Sequence, residues 1–138
     1  MINVVGAILF KDNKIILARR AKTLKNFPDL FEFPGGKVEK NETSKKALTR
    51  ELEEELKIKV NEVEEFKNNT HKNTIEKSGK IINLKLFIVR NWIGNIKINE
   101  KIHSELAYVD IKNLHNFEGF IPGDSVFIPT IQKILIEL

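Results

Sequence analysis

Glu51, Glu54 and Glu55 are the residues of this chain best placed to do chemistry. If their segment is helical, Glu51 and Glu55 stand four apart and Glu51 and Glu54 three apart, so all three carboxylates project from one side and can converge on one point. Such a set is unfavourable by itself. Like charges one turn apart cost roughly a few tenths of a kcal/mol each, and the dipole at the end of a helix disfavours anions. A bound divalent cation reverses both penalties. Oxygen donors without Cys or His suit a hard ion, so Mg²⁺ is the natural partner and Mn²⁺ the alternative. Because Mg²⁺ combines one or two carboxylates with waters and substrate phosphates, the chemistry indicated is attack at phosphorus. Arg50 is placed to tie one of the glutamates through a bidentate pair. A glutamate-rich helix is more often an ordinary solvated face, and the three residues alone favour that plainer reading.

The surrounding pattern says which element carries them. Glu42-Thr43-Ser44 opens a helix whose apolar stripe is Ala47, Leu48, Leu52 and Leu56, ending near Leu56 or Lys57. Upstream, Ile2 to Phe10 reads as a buried strand, Lys11-Asp12-Asn13-Lys14 as a turn and Ile15 to Ala18 as the returning strand of a hairpin. Arg19 to Asp29 is polar and reads as a loop. Phe31-Glu32-Phe33 alternates like a short strand that Pro34-Gly35-Gly36 ends.

Downstream, Lys57 to Val60 and Val63 to Asn69 look strand-like, Ser78-Gly79 is a turn signal, and Ile81 to Val89 is a strong strand. Leu106 to Val109 is another short strand and Ile111 to Leu114 a helical turn. The run from Asp124 to Leu138 is apolar at helical spacing, with a cap at Asp124 or Ser125 or a start at Pro129. The order β-β-β-α-β-β-β-α predicts an α/β (α+β) fold, a mixed β-sheet sandwiched between α-helices. Its 138 residues fit one domain, 1–138, large enough to bury a real core.

Gly36, five residues, Glu42, seven residues, Arg50-Glu51-Leu52, one residue, Glu54-Glu55, one residue and Lys57-Ile58 together resemble the Nudix box. Phe31-Glu32-Phe33-Pro34-Gly35-Gly36-Lys37-Val38-Glu39 resembles the entry segment of MutT-type members. The similarity extends to Arg19-Arg20 and Val89-Arg90-Asn91-Trp92, and weakly to Pro122-Gly123-Asp124. One position departs: Lys57 stands where the family usually has Gly. A lysine in the left-handed exit that Gly eases costs on the order of 1 kcal/mol, so the exit either bears that cost or takes another shape.

The resemblance implies a Mg²⁺-dependent hydrolase that splits a (deoxy)nucleoside triphosphate, 8-oxo-dGTP among the candidates, into monophosphate and pyrophosphate. It implies Glu51, Glu54 and Glu55 as metal ligands with a backbone carbonyl near Gly36. Glu54 is the preferred base, with Arg50 and Glu51 in the catalytic set. A further acidic residue from a later loop falls to Glu100 or Glu105. Substrate contacts fall to Arg20, Phe33, Lys37 and Asp124. Each has a plainer alternative: a strand-end charge for Arg20, a core aromatic for Phe33, a solvated side chain for Lys37 and a helix cap for Asp124. His71, His103 and His115 read as structural or exposed, and Trp92 as packing. The prolines are Pro28, Pro34, Pro122 and Pro129 and the one tyrosine is Tyr108, which disfavours the family's ADP-ribose and dinucleoside polyphosphate classes. Enzymes for CTP or modified dCTP share these motifs and are the competing reading. A non-catalytic nucleotide- or RNA-linked binding domain is the reading from another class, and four intact acidic positions, Glu42 included, speak against it.

Composition bounds the rest. With no cysteine, disulfides, thiolate zinc sites and thiol catalysis are excluded. The formal net charge of +4 helps attract a polyanionic substrate but does not call for a stable nucleic-acid partner. Val4 to Phe10 is too short to span a bilayer and lacks the flanks of a signal peptide, so no membrane partner and a cytoplasmic location are expected. Monomer and dimer are both compatible with the sequence.

Overall fold

The structure, a computed structural model, describes residues 2–66, 74–77 and 80–136. The expected turn at Ser78-Gly79, the end of the strand reaching Asn69, His71 and Leu138 lie outside the described residues.

β1 (Ile2–Lys11) and β2 (Lys14–Arg20) form the expected hairpin, with Phe10 paired to Ile15. Asp12 and Asn13 both take positive φ in its turn, the conformation a two-residue hairpin loop demands and one that Asp and Asn tolerate. β2 is longer than expected, because Arg19 and Arg20 extend it where a loop was read. β3 (Phe31–Glu32) pairs with β2. The next segment departs from expectation: Pro34-Gly35-Gly36, expected to end a strand, leads into another, β4 (Gly35–Lys37), antiparallel to β1 with Gly6 opposite Gly35 and Val5 opposite Gly36. A Cβ on Gly35 would overlap the carbonyl oxygen of Val5, so the pairing is this close only because the residue is glycine.

The helix α1 (Ser44–Leu56) is capped at its start by Thr43, whose hydroxyl accepts from the Lys46 N–H at 3.2 Å. It ends at Lys57, which takes the left-handed conformation with φ 60 and ψ 30. Lys57 therefore adopts the exit that a glycine would ease, rather than avoiding it. β5 (Glu64–Glu65) and β6 (Thr74–Lys77) both pair antiparallel with β7 (Lys80–Val89), which runs parallel to β1 from Ile2↔Ile82 to Leu9↔Val89. Lys57 to Val60, expected to be a strand, contributes only an isolated bridge from Lys59 to Ile93. β8 (His103–Asp110) pairs with β2. A 3-10 helix over Ile111–Asn116, α2 (Pro122–Ser125) and α3 (Ile128–Ile136) complete the described chain. Pro129 sits at the second position of α3, where a missing N–H costs nothing.

The mixed sheet lies between α1 on one face and the C-terminal helices on the other, as expected. Alternation along β1 shows this: Val5, Ala7 and Leu9 join Leu48, Leu52 and Leu56 of α1, while Ile8 and Phe10 join Ile128, Ile131 and Leu135 of α3. Trp92 packs against the α1 cluster, with the Lys11 ammonium 5.2 Å from its ring centre. Among the described residues no helix is long and apolar enough to cross a membrane.

Candidate active site

β4 and the C-terminal half of α1 meet edge to side, and the two glycines are what lets them meet. The Glu51 carboxyl lies so close to Gly36 that a Cβ there would overlap it. The Gly35 N–H donates to Glu55 Oε2 at 3.1 Å. A short strand of small residues thus receives two carboxylates from the helix beside it.

Arg50 organises the outer side of this junction. Its Nε and Nη2 donate to the two oxygens of Glu42 at 2.8 and 2.9 Å, a bidentate pair. Nη1 donates to Glu51 Oε1 at 2.8 Å, and Nη2 also reaches the Lys37 carbonyl at 3.0 Å. Glu39 is held more loosely, at 3.7 Å. The Arg50 guanidinium, with help from the Glu39 N–H, holds the Glu42 carboxyl down at about 2. In return Glu42, and then Glu51, raise the Arg50 pKa above its already high value.

Glu55 sits in the opposite electrostatic situation. It is only 5% exposed. Burial first, then the charges of Glu32 and Glu51, push its carboxyl up to about 9. Burial also raises Glu51, against the lowering effect of Arg50. Glu54 differs from both. Its side chain is 58% exposed and its Oε2 is 3.5 Å from Arg50 Nη1. Successive helical residues turn by about 100°, so Glu55 lies about 40° from Glu51 and Glu54 about 60° to the other side. The sheet therefore receives Glu51 and Glu55, and Glu54 stands at the solvent edge.

Among the described residues, no three acidic or imidazole groups stand close enough to close a metal site unaided. The donor set fits an open site. Two carboxylates from α1, one of them (Glu55) raised by burial and then by its neighbours' charges, and a glycine backbone stripped of side chains fit a small dication that brings its own waters and shares phosphate oxygens.

The same junction floors a cavity of about 240 Å³ lined by Arg20, Phe33, Lys37, Gly36, Glu55 and Asp124 among others. All four residues expected to touch substrate thus border one space. Phe33 is buried in the core, its ring 5.5 Å from that of Phe120, so it serves packing and cavity wall together. Asp124 is 3% exposed and lies inside α2, whose N-cap position belongs to Ile121. Its Oδ2 accepts from the Phe33 N–H at 3.3 Å. Arg20 Nε donates to the Asn26 carbonyl at 2.9 Å and Nη1 to Glu32 Oε1 at 3.2 Å.

Of the two later acids, Glu105 pairs with Arg19 at 3.1 Å on an exposed surface. Glu100 follows Asn99, whose N–H donates to the Glu55 carbonyl at 3.2 Å, while the Lys97 N–H donates to the Leu56 carbonyl at 2.9 Å. The loop carrying Glu100 is therefore stitched to the end of α1.

Sequence reasoning missed two residues here. Glu32 was passed over as one member of an alternating strand, yet its carboxylate meets both Arg20 and His103. His103, read as structural or exposed, is fully buried, whereas His115 lies near the surface against Gln132. A carboxylate between two phenylalanines was a signal for Glu32; none was present for His103.

Residues 2–131 match the NUDIX domain. The chain is 33% identical over 133 residues to a protein named 8-oxo-dGTP diphosphatase from Buchnera aphidicola subsp. Schizaphis graminum (strain Sg), covering 96% of this chain and 95% of that one. It is 40% identical over 108 residues to the CTP pyrophosphohydrolase of Escherichia coli (strain K12), covering 78% and 75%. The solution structure of the E. coli ORF135 protein superposes with a TM-score of 0.80 at 32% identity, covering 99% of this chain and 92% of that one.

Proposed function

From the premise that this chain belongs to the Nudix family of pyrophosphohydrolases, we propose that it hydrolyses a nucleoside triphosphate to the monophosphate and pyrophosphate, with 8-oxo-dGTP among the candidate substrates. The observation that carries the reading is the meeting of Glu51 and Glu55 with Gly35–Gly36, of which Glu55, Gly35 and Gly36 line the cavity that Arg20, Lys37, Phe33 and Asp124 also border.

Glu51, Glu54 and Glu55, with a backbone carbonyl near Gly36 and Glu100 from the stitched loop, would hold the metal. Mg²⁺, or Mn²⁺ in its place, supplies neutralisation of the charge that gathers on phosphate oxygens. Arg50 keeps Glu51 turned toward Gly36. Glu54, at the solvent edge, takes the proton of the attacking water as its oxygen bonds to one of the two phosphorus atoms flanking the scissile bridge, and the other product leaves with the electrons of the broken P–O bond. Arg20 and Lys37 bring positive charge to the phosphates. Phe33 forms an apolar wall for the base. The Asp124 carboxylate accepts from the base edge. Guanine offers it two adjacent donors, N1–H and the N2 amine, whereas cytosine offers the N4 amine beside an acceptor. That difference ranks guanine first, and the likeness to a protein named CTP pyrophosphohydrolase keeps CTP and modified dCTP as the second reading.

The test is a product assay with Mg²⁺ on 8-oxo-dGTP, the ordinary dNTPs and NTPs, 5-methyl-dCTP and ADP-ribose. Monophosphate plus pyrophosphate from one triphosphate establishes the reaction and names the base. Silence across the panel from folded protein that still binds a nucleotide supports a binding domain instead.

A further inference from the structure

From the cavity wall a chain of polar groups leads inward from Arg20 through Glu32 to the buried His103. His103 Nε2 lies 2.9 Å from Glu32 Oε2, and the other oxygen of Glu32 accepts from Arg20 Nη1 at 3.2 Å. Arg20 Nε is bound in turn to the Asn26 carbonyl at 2.9 Å. With Nε and Nη1 so engaged, the guanidinium is held at the cavity that Arg20 lines, and no bond of Nη2 is seen among the described residues.

The imidazole is costly where it stands. His103 has no exposed surface, and its Nδ1 is buried without a hydrogen-bond partner among the described residues. An unpaired buried polar atom opposes folding, and an apolar side chain would fill the space without that penalty. Packing therefore does not account for a histidine, but the bond made by Nε2 does. A carboxylate only accepts, so Nε2 carries the hydrogen that Glu32 receives.

The backbone is shaped to the same end. The β2–β8 register shifts between Arg19 and Arg20, so Glu105 faces Arg19 and His103, rather than Ser104, faces Arg20. A bulge of this kind re-aims a side chain, here turning the imidazole in beneath Glu32. The His103 N–H is anchored to the Asn99 carbonyl at 2.8 Å, which fixes the start of β8.

We infer that His103 is a positioning residue that, acting through Glu32, holds the Arg20 guanidinium in the orientation that meets the nucleotide. The inference rests on the proposed role of Arg20 as a substrate contact. Its test compares His103→Gln, whose amide nitrogen falls near the place of Nε2, with His103→Asn, whose amide nitrogen falls near that of Nδ1. Both are polar, but Asn is the smaller and leaves more empty space at this buried site, so a packing defect is separated from lost positioning by repeating the comparison without Arg20. His103→Gln keeps KM for the triphosphate within about twofold, and His103→Asn raises it about tenfold with kcat within about twofold, the loss of one charged hydrogen bond to a binding group. In an Arg20→Ala background the two variants become indistinguishable.

A second readout needs no turnover: the Arg20 Nε–H signal in the nitrogen-15 NMR spectrum of the resting protein stays sharp in His103→Gln and broadens in His103→Asn. If wild-type protein turns over no triphosphate while that signal behaves as expected, the triphosphatase reading fails and the positioning of Arg20 stands. Equal KM values and equal Arg20 signals in the two variants, or a KM difference that persists without Arg20, overturn the inference.

Discussion

The carboxyl of Glu51 rests directly against the Cα of Gly36, with no space between them for a methyl group. Replacing Gly36 by alanine therefore displaces Glu51 from β4 while leaving its hydrogen bond to Arg50 free to follow. Turnover in Gly36→Ala is expected to fall at least about tenfold, with a rise in the Mg²⁺ concentration needed for half-maximal rate. Gly35→Ala provides the contrast, because its Cβ meets backbone rather than a side chain. That variant should lose about 1–3 kcal/mol of stability in denaturant titration, the usual cost of overpacking. If Gly36→Ala retains wild-type kinetics, the close contact is packing alone.

Glu54 stands half in solvent, and its looser ion pair with Arg50 at 3.5 Å is of the kind worth about 0–1 kcal/mol. Glu54→Gln should therefore leave the melting temperature within a few degrees of wild type, roughly what such a loss gives in a domain of this size. Its turnover should nonetheless fall at least about 100-fold, the effect of removing a general base. Near-wild-type activity in a folded Glu54→Gln protein would show that another group takes the proton.

The placement of these glutamates was legible from spacing because helical geometry is local. The opening at Thr43 and the stripe from Ala47 to Leu56 follow from neighbours in sequence, whereas the left-handed exit at Lys57 is left open by the sequence and decided by the structure. The division of labour within the set was less so: spacing puts three carboxylates on one side, and only the sheet decides that Glu51 and Glu55 turn in while Glu54 stays out. β4 was illegible because two glycines carry no strand propensity, and their pairing depends on the bare backbone of β1. His103 was illegible because its inward turn comes from a bulge between strands more than eighty residues apart in sequence. Side-chain type carried the chemistry, and long-range register carried the geometry.

Glu55 gives the protein a distinctive dependence on pH. Its carboxyl is raised from an ordinary 4.5 to about 9, so between those values the folded state binds a proton that the unfolded chain has released. The stabilising contribution is complete below 4.5 and is lost as pH rises through 9. Metal-free protein should melt at progressively lower temperature across that window. A divalent cation bound by the ionised carboxyl reverses the trend, so the rise in melting temperature on adding Mg²⁺ should grow with pH, and binding should release protons. Thermal melts at pH 5, 7 and 9 with and without Mg²⁺ are the measurement. A Mg²⁺ increment that is flat with pH would remove Glu55 from the metal's ligands. Glu42 runs the other way: Arg50 holds it at about 2, so its contribution is present above 4.5 and fades only as pH falls toward 2.

Asp124 joins the base-reading proposal to the fold, because the carboxylate that borders the cavity also accepts from the Phe33 N–H at 3.3 Å. Asp124→Ala thus removes a reader and leaves a buried backbone donor without that partner, at a cost of about 1–3 kcal/mol of stability. Asp124→Asn keeps an acceptor for Phe33 but presents an amide in place of one carboxylate oxygen, so it separates the two roles. If Asp124 reads the base, both variants compress the ratio of kcat/KM between the preferred triphosphate and its competitors, by roughly tenfold or more for a site that loses a hydrogen-bonding group. The alanine variant should lose more stability than the asparagine variant, because only it removes the acceptor of the Phe33 N–H. Relative rates that stay constant across 8-oxo-dGTP, dGTP and dCTP in both variants would leave Asp124 as a strut for β3 and move base selection to the apolar wall at Phe33.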